Sequence, residues 1–538
     1  MIHSGERKSR VARHQVRSLI RRNQGDSLDT SIILWTRAVP LPASNGELPI
    51  ASIPVCVSYK IATDENLGQS VDTGEAFTTY DVDFTVKVEA KNLKPDTKYW
   101  YQFADCTNEK TVSPIGMTRT LSSADTPAEE VNNGNPLTFA VFSCSNFAAG
   151  YFNAYGFAAH NVTPDVFIHL GDYMYEDFGN GGSIGRLVLG RELATIADYR
   201  HRFEQYRSDL DLQFAHQTFP WITDDHEIAN NGWKAGTSDS NDTASGCMFS
   251  PSGACFTDRK MAGTRAYHEW MPIRQVDAKD QLRIWRNFQI GKLLDLTMLD
   301  TRELKFRSFF DFMIGFMNAI KVTTTRSIMG HSQENWLSET LSQSKSREAI
   351  WRVIGQQVVF TQLLQNTRKS DAWDGYRSNR NRILDQLYGK NIDNTVILSG
   401  DSHANWVSDL AHINDTETYD PLTGSGAIGV EFAGTGVTSS SGTFKPNGPL
   451  EFSNNVSMSL VQENIDLQWS EGHFRGFFTI RVTPEFLNAT YYSMQNATFR
   501  NLDGFASANF SVKAGANRLT RPVANGNILS GALKPGNH

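Results

Sequence analysis

Four short polar clusters collect the residue types that bind metal ions: Cys144 in Phe142-Ser143-Cys144-Ser145-Asn146; Asp172 and Tyr175 in Leu170-Gly171-Asp172-Tyr173-Met174-Tyr175-Glu176; Asp225 and His226 in Asp224-Asp225-His226-Glu227; Asp401 and His403 in Ser399-Gly400-Asp401-Ser402-His403. A thiolate, a phenolate, imidazoles and carboxylates converging on one crevice would carry uncompensated negative charge unless a cation, or better two, sat among them. Two ions about 3.5–4 Å apart acidify water toward a pKa of ~7 and clamp the oxygens of an in-line displacement, which suits phosphate esters. A shared carboxylate must bridge them, and Asp172, directly after a glycine that lets the chain turn, is the natural candidate. Asp401 and His403 alternate after an apolar strand, so both side chains point to one side. Each residue also has a plainer reading: a lone cysteine after a buried strand is usually a small core residue, and Asp225 and His226 sit where a helix cap beginning near Glu227 would fall. Their joint occurrence favours ligands. His169 and His331 read as satisfied structural histidines, and the run 377–382 as a solvated helix face.

All four clusters follow the ends of expected strands, where open α/β sheets place ligand sites. Strands over 137–144 and 165–170 are separated by enough chain for a crossover helix, and further apolar strands are expected over 219–223, 293–299, 351–356, 395–398 and 428–432, with an amphipathic helix over 333–344. Strand-rich, nearly helix-free sequence from about 427 to 515 suggests a second sheet. Upstream, β-branched and aromatic runs over 31–37, 54–61, 82–90 and 99–106 read as a β-sandwich, with Tyr99 placed for a tyrosine corner, and resemble a fibronectin type III repeat. The expected divisions are a basic segment over 1–24, the sandwich over 25–121, a linker over 122–136, a catalytic domain over 137–515 and a tail over 516–538.

Composition narrows the partners. The 538 residues carry 51 Lys and Arg against 58 Asp and Glu, a net charge of −7, which is no nucleic-acid-binding signature. No stretch approaches the roughly 20 apolar residues of a membrane span. Cys247 and Cys255 flank a polar loop and Cys56 and Cys106 sit in two strand-like runs, so two disulfides are expected, leaving Cys144 unpaired. Glycosylation sequons at Asn161, Asn241, Asn414, Asn455, Asn488, Asn496 and Asn509 also suit a secreted or cell-wall-associated protein, although the start of this chain shows no export leader. A monomer is expected.

The order of these clusters, together with Ile32-Ile33-Leu34-Trp35-Thr36-Arg37, Gly330-His331-Ser332-Gln333, Gly355-Gln356-Gln357 and Arg475-Gly476-Phe477, resembles the metallophosphoesterase superfamily and, within it, the PhoD-like alkaline phosphatase/phosphodiesterase family. The resemblance implies an α/β fold, with an N-terminal β-sandwich followed by a four-layer α/β/β/α domain. It implies that Cys144, Asp172, Tyr175 and His403 hold ferric iron, and that Asp172 bridges to calcium held with Asp225 and Asp401, Asn231 being auxiliary. It further implies that His226 contacts phosphate or assists the leaving group and that Arg207 holds phosphate oxygens. The expected reaction releases inorganic phosphate from monoesters, and possible diesters are included in the family's range. Two other readings compete. A cysteine hydrolase with Cys144 as nucleophile leaves Asp172, Tyr175, Asp225 and Asp401 without a role, and a non-catalytic binding protein using its sandwich leaves the whole ligand set unexplained.

Overall fold

The apolar runs after residue 136 fold as strands buried on both faces, as parallel strands between covering layers require. The computed structural model describes residues 16–40, 53–177, 179, 181–218, 221–224, 228–229, 232, 236–237, 239–280, 282–301, 327–363, 372–412, 415, 417–445 and 448–536. Two sheets lie face to face. The first has nine strands in the order Gly504–Lys513, Phe486–Met494, Arg475–Val482, Leu137–Phe142, Val166–Leu170, Trp221–Asp224, Val16–Gly25, Ile32–Pro40 and Thr85–Ala90. The second has eight: Arg286–Ile290, Leu294–Met298, Trp351–Gln356, Thr395–Ser399, Gly429–Ala433, Asn405–Leu410, Leu467–Glu471 and Ala532–Leu533. The centre of each sheet is parallel, with Phe167 opposite Ala140 and Trp221 in the first and Ile354 opposite Thr297 and Ile397 in the second.

The facing sides share one core, in which Phe139, Val141, Ile168 and Leu170 meet Leu294, Leu296, Val353, Val396 and Leu398. Side chains alternate along a strand, so each outer face needs a cover of its own. Ala140, Phe142 and Phe167 pack under the helices Ile196–Ser208, Leu210–Thr218 and Phe256–Trp270, while Ile354, Ile397 and Leu410 pack under Gly330–Ser346 and Arg377–Gly389. This is the four-layer α/β/β/α architecture expected from the sequence. The N-terminal sandwich packs Ile32, Leu34 and Val86 on Val57, Tyr101 and Phe103 of a second small sheet built from Ser70–Thr78, Val55–Ala62, Lys98–Asp105, Asn108–Val112 and Gly116–Arg119. Its tyrosine corner is present, the Lys94 N–H donating to the Tyr99 hydroxyl at 2.7 Å. Cys56–Cys106 and Cys247–Cys255 are disulfides and Cys144 is a buried free thiol.

Several boundaries differ from the sequence reading. The strand Val16–Gly25 runs across residue 24, pairing with Ile32–Pro40 and, at Gly25, with Trp221, so the first large sheet continues into the sandwich. Residues 122–136 are not a free linker: Ala128 and Val131 enter the central core, and Arg119 donates to Asn132 Oδ1 at 2.5 Å and to Asp165 at 2.9 Å. Residues 516–533 are not a tail, because Leu519 and Val523 are buried in the same core and Ala532–Leu533 pairs with Leu467–Glu471. A helix, Leu450–Glu463, interrupts the stretch expected to be nearly helix-free. Its buried face is Ser453, Ser457, Leu460 and Val461, a helical spacing that two serines hid from a hydrophobicity reading. The run 377–382 is only partly solvated, since Asn379 and Arg380 are buried and Arg380 donates to the Phe360 carbonyl at 2.7 Å. No helix of the described residues is long and apolar enough to cross a membrane.

Candidate metal centre

Cys144 follows the strand Leu137–Phe142, Asp172 follows Val166–Leu170, and Asp401 and His403 follow Thr395–Ser399. The parallel packing of these strands brings their ends together, and backbone hydrogen bonds fix the loops on one another. Cys144 N–H donates to the Gly171 carbonyl (3.3 Å) and Ser145 N–H to that of Asp172 (2.9 Å). A further loop, after Gly429–Ala433, docks from above: Val437 N–H donates to Ser143 O at 2.9 Å and Ser439 N–H to Cys144 O at 3.2 Å. Gly436 permits this approach, because a Cβ there would lie 2.7 Å from the Ser439 carbonyl and 3.1 Å from Cys144 Cβ.

The backbone of the ligand set is itself unusual. Cys144, Asp172, Asp401 and His403 have φ values of 59°, 53°, 58° and 55°. Each is a side-chain-bearing residue in the left-handed region, a conformation that costs on the order of 1–3 kcal/mol and collects at functional sites. Gly171, with φ 98°, supplies the turn before Asp172. Strand ends thus bring Cys144, Asp172 and His403 together, with the Asp401 charge close enough to act on the Cys144 thiol, at a conformational cost that the surrounding loops must offset.

The side chains converge. Cys144 Sγ, an Asp172 carboxylate oxygen and a His403 ring nitrogen all lie within 4.8 Å of one another. The Tyr175 hydroxyl donates to Asp172 Oδ2 at 2.8 Å, lies 3.2 Å from His403 Nε2 and accepts from Ser439 Oγ at 2.9 Å. Burial, and then the charges of Asp172 and Asp401, push the Cys144 thiol well above its usual range. A thiol in that setting ionises only if a cation arrives to offset the carboxylates. Thiolate, phenolate, imidazole and carboxylate together form a donor set suited to a hard or borderline transition-metal ion, and the residues present fit one.

A ring of supports surrounds these donors. Buried Arg475 donates to the carbonyls of His403 (3.0 Å) and Ser439 (2.6 Å), and burial pulls its pKa down to about 10. Thr435 Oγ1 donates to the His403 carbonyl at 3.3 Å. Beneath the site, His169 Nε2 lies 2.9 Å from the Tyr155 hydroxyl and 3.3 Å from Ser145 Oγ, and burial lowers its pKa to about 3, which keeps it neutral and structural. Ser439 and Thr435 were missed by the sequence reading, whose available signal was the run Gly434-Thr435-Gly436-Val437-Thr438-Ser439 after a buried strand; Arg475 had appeared only as an isolated echo of the family pattern.

Arg207 does not join this group in the described structure. Arg207 is buried, donates to the Trp270 carbonyl at 3.1 Å and lies over the rings of Trp35 and Tyr173 at 5.6 and 5.8 Å. These contacts weld helix Ile196–Ser208 to the sandwich and give no support to a phosphate-holding role. Asp225, His226 and Asn231 lie outside the described residues.

Comparison with known proteins gives the family. Residues 139–491 match the PhoD-like phosphatase family and residues 10–122 the PhoD-like phosphatase N-terminal domain. Alkaline phosphatase D of Bacillus subtilis (strain 168) is 31% identical over 488 residues, covering 88% of this chain and 77% of that protein. A solved structure of PhoD superposes with a TM-score of 0.76 at 29% identity, covering 97% of this chain and 94% of its own. A purple acid phosphatase from yellow lupin seeds shares the fold, with a TM-score of 0.57 at 11% identity over 95% of this chain and 76% of its own. With its N-terminal and catalytic parts both matched, the chain belongs to the PhoD-like phosphatase family, metal-dependent hydrolases of phosphate esters.

Proposed function

We propose that this enzyme hydrolyses phosphate monoesters, and diesters that the cleft admits, at a centre where Cys144, Asp172, Tyr175 and His403 hold ferric iron. The observation that carries the reading is the meeting of thiol, carboxylate and imidazole donors within 4.8 Å, all three on left-handed backbone at strand ends. Asp401, with Asp225 and the amide of Asn231, would offer oxygen donors to a hard cation such as calcium. Bound metal supplies Lewis acidity that polarises a phosphoryl oxygen and acidifies water.

The chain's own residues prepare that chemistry. Tyr175 holds its proton on Asp172 and must give it up to become a ligand, while the Ser439 donor keeps the phenol oxygen in place. Arg475 and Thr435 fix the His403 backbone from behind, so the imidazole is oriented before a ligand arrives. His226 is assigned the leaving-group proton. The competing cysteine-nucleophile reading loses support here, because burial and two nearby carboxylates keep the Cys144 thiol protonated where a nucleophile needs an accessible thiolate. The two disulfides favour work outside the cytosol.

The test pairs metal analysis with p-nitrophenyl phosphate turnover in the wild type, Asp172→Asn and His403→Ala. Iron content and turnover should fall together in both variants and be restored to the chelated wild type by iron with calcium; a metal-free protein that still turns over substrate would overturn the reading.

A further inference from the structure

The outer face of the first large sheet is only partly covered by helices. Near the candidate metal centre, Phe142, Phe477 and Tyr492 lie under them or stack on one another, but toward the other end of the same strands the face is polar and open. Two cross-strand rows define it. Thr138, Arg481, Asn488 and Ser511 stand opposite one another across four strands, and Thr479, Thr490 and Asn509 form the next row across three. Direct pairing places the side chains of each row on one face, while Ile480, Leu487, Ala489 and Phe510 between them point into the core.

These rows form the floor of a trough of about 510 Å³, walled by the C-terminal segment at Thr520, Pro522 and Asn525. The wall is attached to the floor, Thr520 N–H donating to the Ser511 carbonyl at 2.8 Å. Its polar side chains are hydroxyls, carboxamides and a single guanidinium, with no Asp, Glu or Lys, and they stand beside the apolar Val162, Pro522 and Ala524. Arg481 is exposed and, among the described residues, has no hydrogen-bond or ion-pair partner. An ordinary solvated sheet face of this kind is flat and carries paired charges. A concave face that keeps one unpaired cation among groups able both to donate and to accept matches a ligand with many hydroxyls and one negative group. One cation is too few to track a nucleic-acid backbone, in keeping with the chain's net charge of −7.

We propose that this trough is a second binding site, for a polyhydroxylated chain carrying an anionic group. Arg481 takes the anion through its planar fork, and Asn488, Asn509 and the neighbouring hydroxyls take the sugar-like hydroxyls. Arg475 and Arg481 sit at opposite ends of one strand, six residues or ~20 Å apart, so the trough can hold such a chain without obstructing the metal centre. The volume is in the range of ligand sites that hold more than one sugar-sized ring.

The experiment is calorimetric titration of the full-length metal-loaded protein with neocarrabiose 4-sulfate, a disaccharide bearing one sulfate that a phosphatase site does not turn over, beside its desulfated form and inorganic sulfate. The sulfated disaccharide should bind at least tenfold more tightly than either control. Arg481→Ala should erase that preference, and Asn488→Ala with Asn509→Ala should weaken both disaccharides several-fold. Turnover of p-nitrophenyl phosphate and the melting temperature should stay at wild-type values throughout. Absence of binding, binding indifferent to Arg481→Ala, or sulfate binding as tightly as the disaccharide would overturn the proposal. So would peptide mapping that finds a glycan attached at Asn488 or Asn509, since the trough would then be filled by the protein's own sugar.

Discussion

Tyr175 has four roles in reach at once: it donates to Asp172, lies against His403, accepts from Ser439 and is itself a candidate ligand. Removing its hydroxyl should therefore separate ligation from folding. If the proposed iron site holds, Tyr175→Phe is expected to melt within a few degrees of wild type but to lack the visible tyrosinate-to-iron absorption expected of the wild type and to lose at least 100-fold in turnover; absorption and turnover both unchanged would remove Tyr175 from the centre. Ser439→Ala keeps every ligand and deletes one supporting donor, so a smaller loss, about 10-fold, is expected, the usual scale for groups that orient metal ligands. Sequence made the candidate ligands Cys144, Asp172 and His403 legible because their types are rare in combination, and the structure brings those three together. Sequence did not make Ser439 legible, since a serine in a serine-rich loop carries no chemical signature until the loop is seen docked on Cys144. Arg207 was not legible for a related reason: whether a guanidinium faces a cleft or a set of aromatic rings is decided by tertiary packing, not by its neighbours in the chain.

At the scale of elements, strands announced themselves and the pieces between them did not. Leu294–Met298 and Trp351–Gln356 match their expected positions nearly to the residue because continuous apolar runs of that length belong in buried parallel strands. Leu450–Glu463 was lost because serines occupy half of its buried face. The loop carrying Gly436 gives a sharp test of how elements position the site. Gly436→Ala would press a methyl group against the Ser439 carbonyl and Cys144, whereas Gly442, six residues on, has nothing within 4 Å of such a methyl group. Gly436→Ala should lower metal content and turnover by more than 10-fold and Gly442→Ala should leave both unchanged; equal behaviour would show that the loop does not define the centre. The disulfides divide in the same way. Cys56–Cys106 closes 50 residues and Cys247–Cys255 only 8. Chain entropy makes the first worth about 4 kcal/mol and the second about 2.5. Denaturant titration of the two double Cys→Ser variants should reproduce that order.

The second large sheet and its core are completed by residues 519–533, which the sequence reading treated as part of a tail. Asp409, fully buried on the second sheet, accepts from Leu519 N–H at 2.9 Å and pairs with Arg521 at 2.5 Å, so the segment after 515 neutralises a core carboxylate as well as covering the sheet. Beside it Asp466 is also buried, with Arg380 and Lys534 as positive neighbours and Asp409 and Asp415 as negative ones. Burial and then the Asp409 charge raise its pKa from the ordinary 3.8 to about 7. Between those two pH values the folded protein holds a proton that the unfolded chain has released, so this residue's contribution to stability is retained below about pH 4, is lost progressively as pH rises to about 7, and stays lost above. Asp466→Asn removes the ionisation while nearly conserving shape. The difference in melting temperature between variant and wild type should thus be small at pH 4 and grow to several degrees in the variant's favour at pH 8. A difference independent of pH would place the Asp466 proton elsewhere, and a variant less stable at pH 8 would mean that the ionised carboxylate, held by Arg380 and Lys534, is what fastens the C-terminal segment to the sheet.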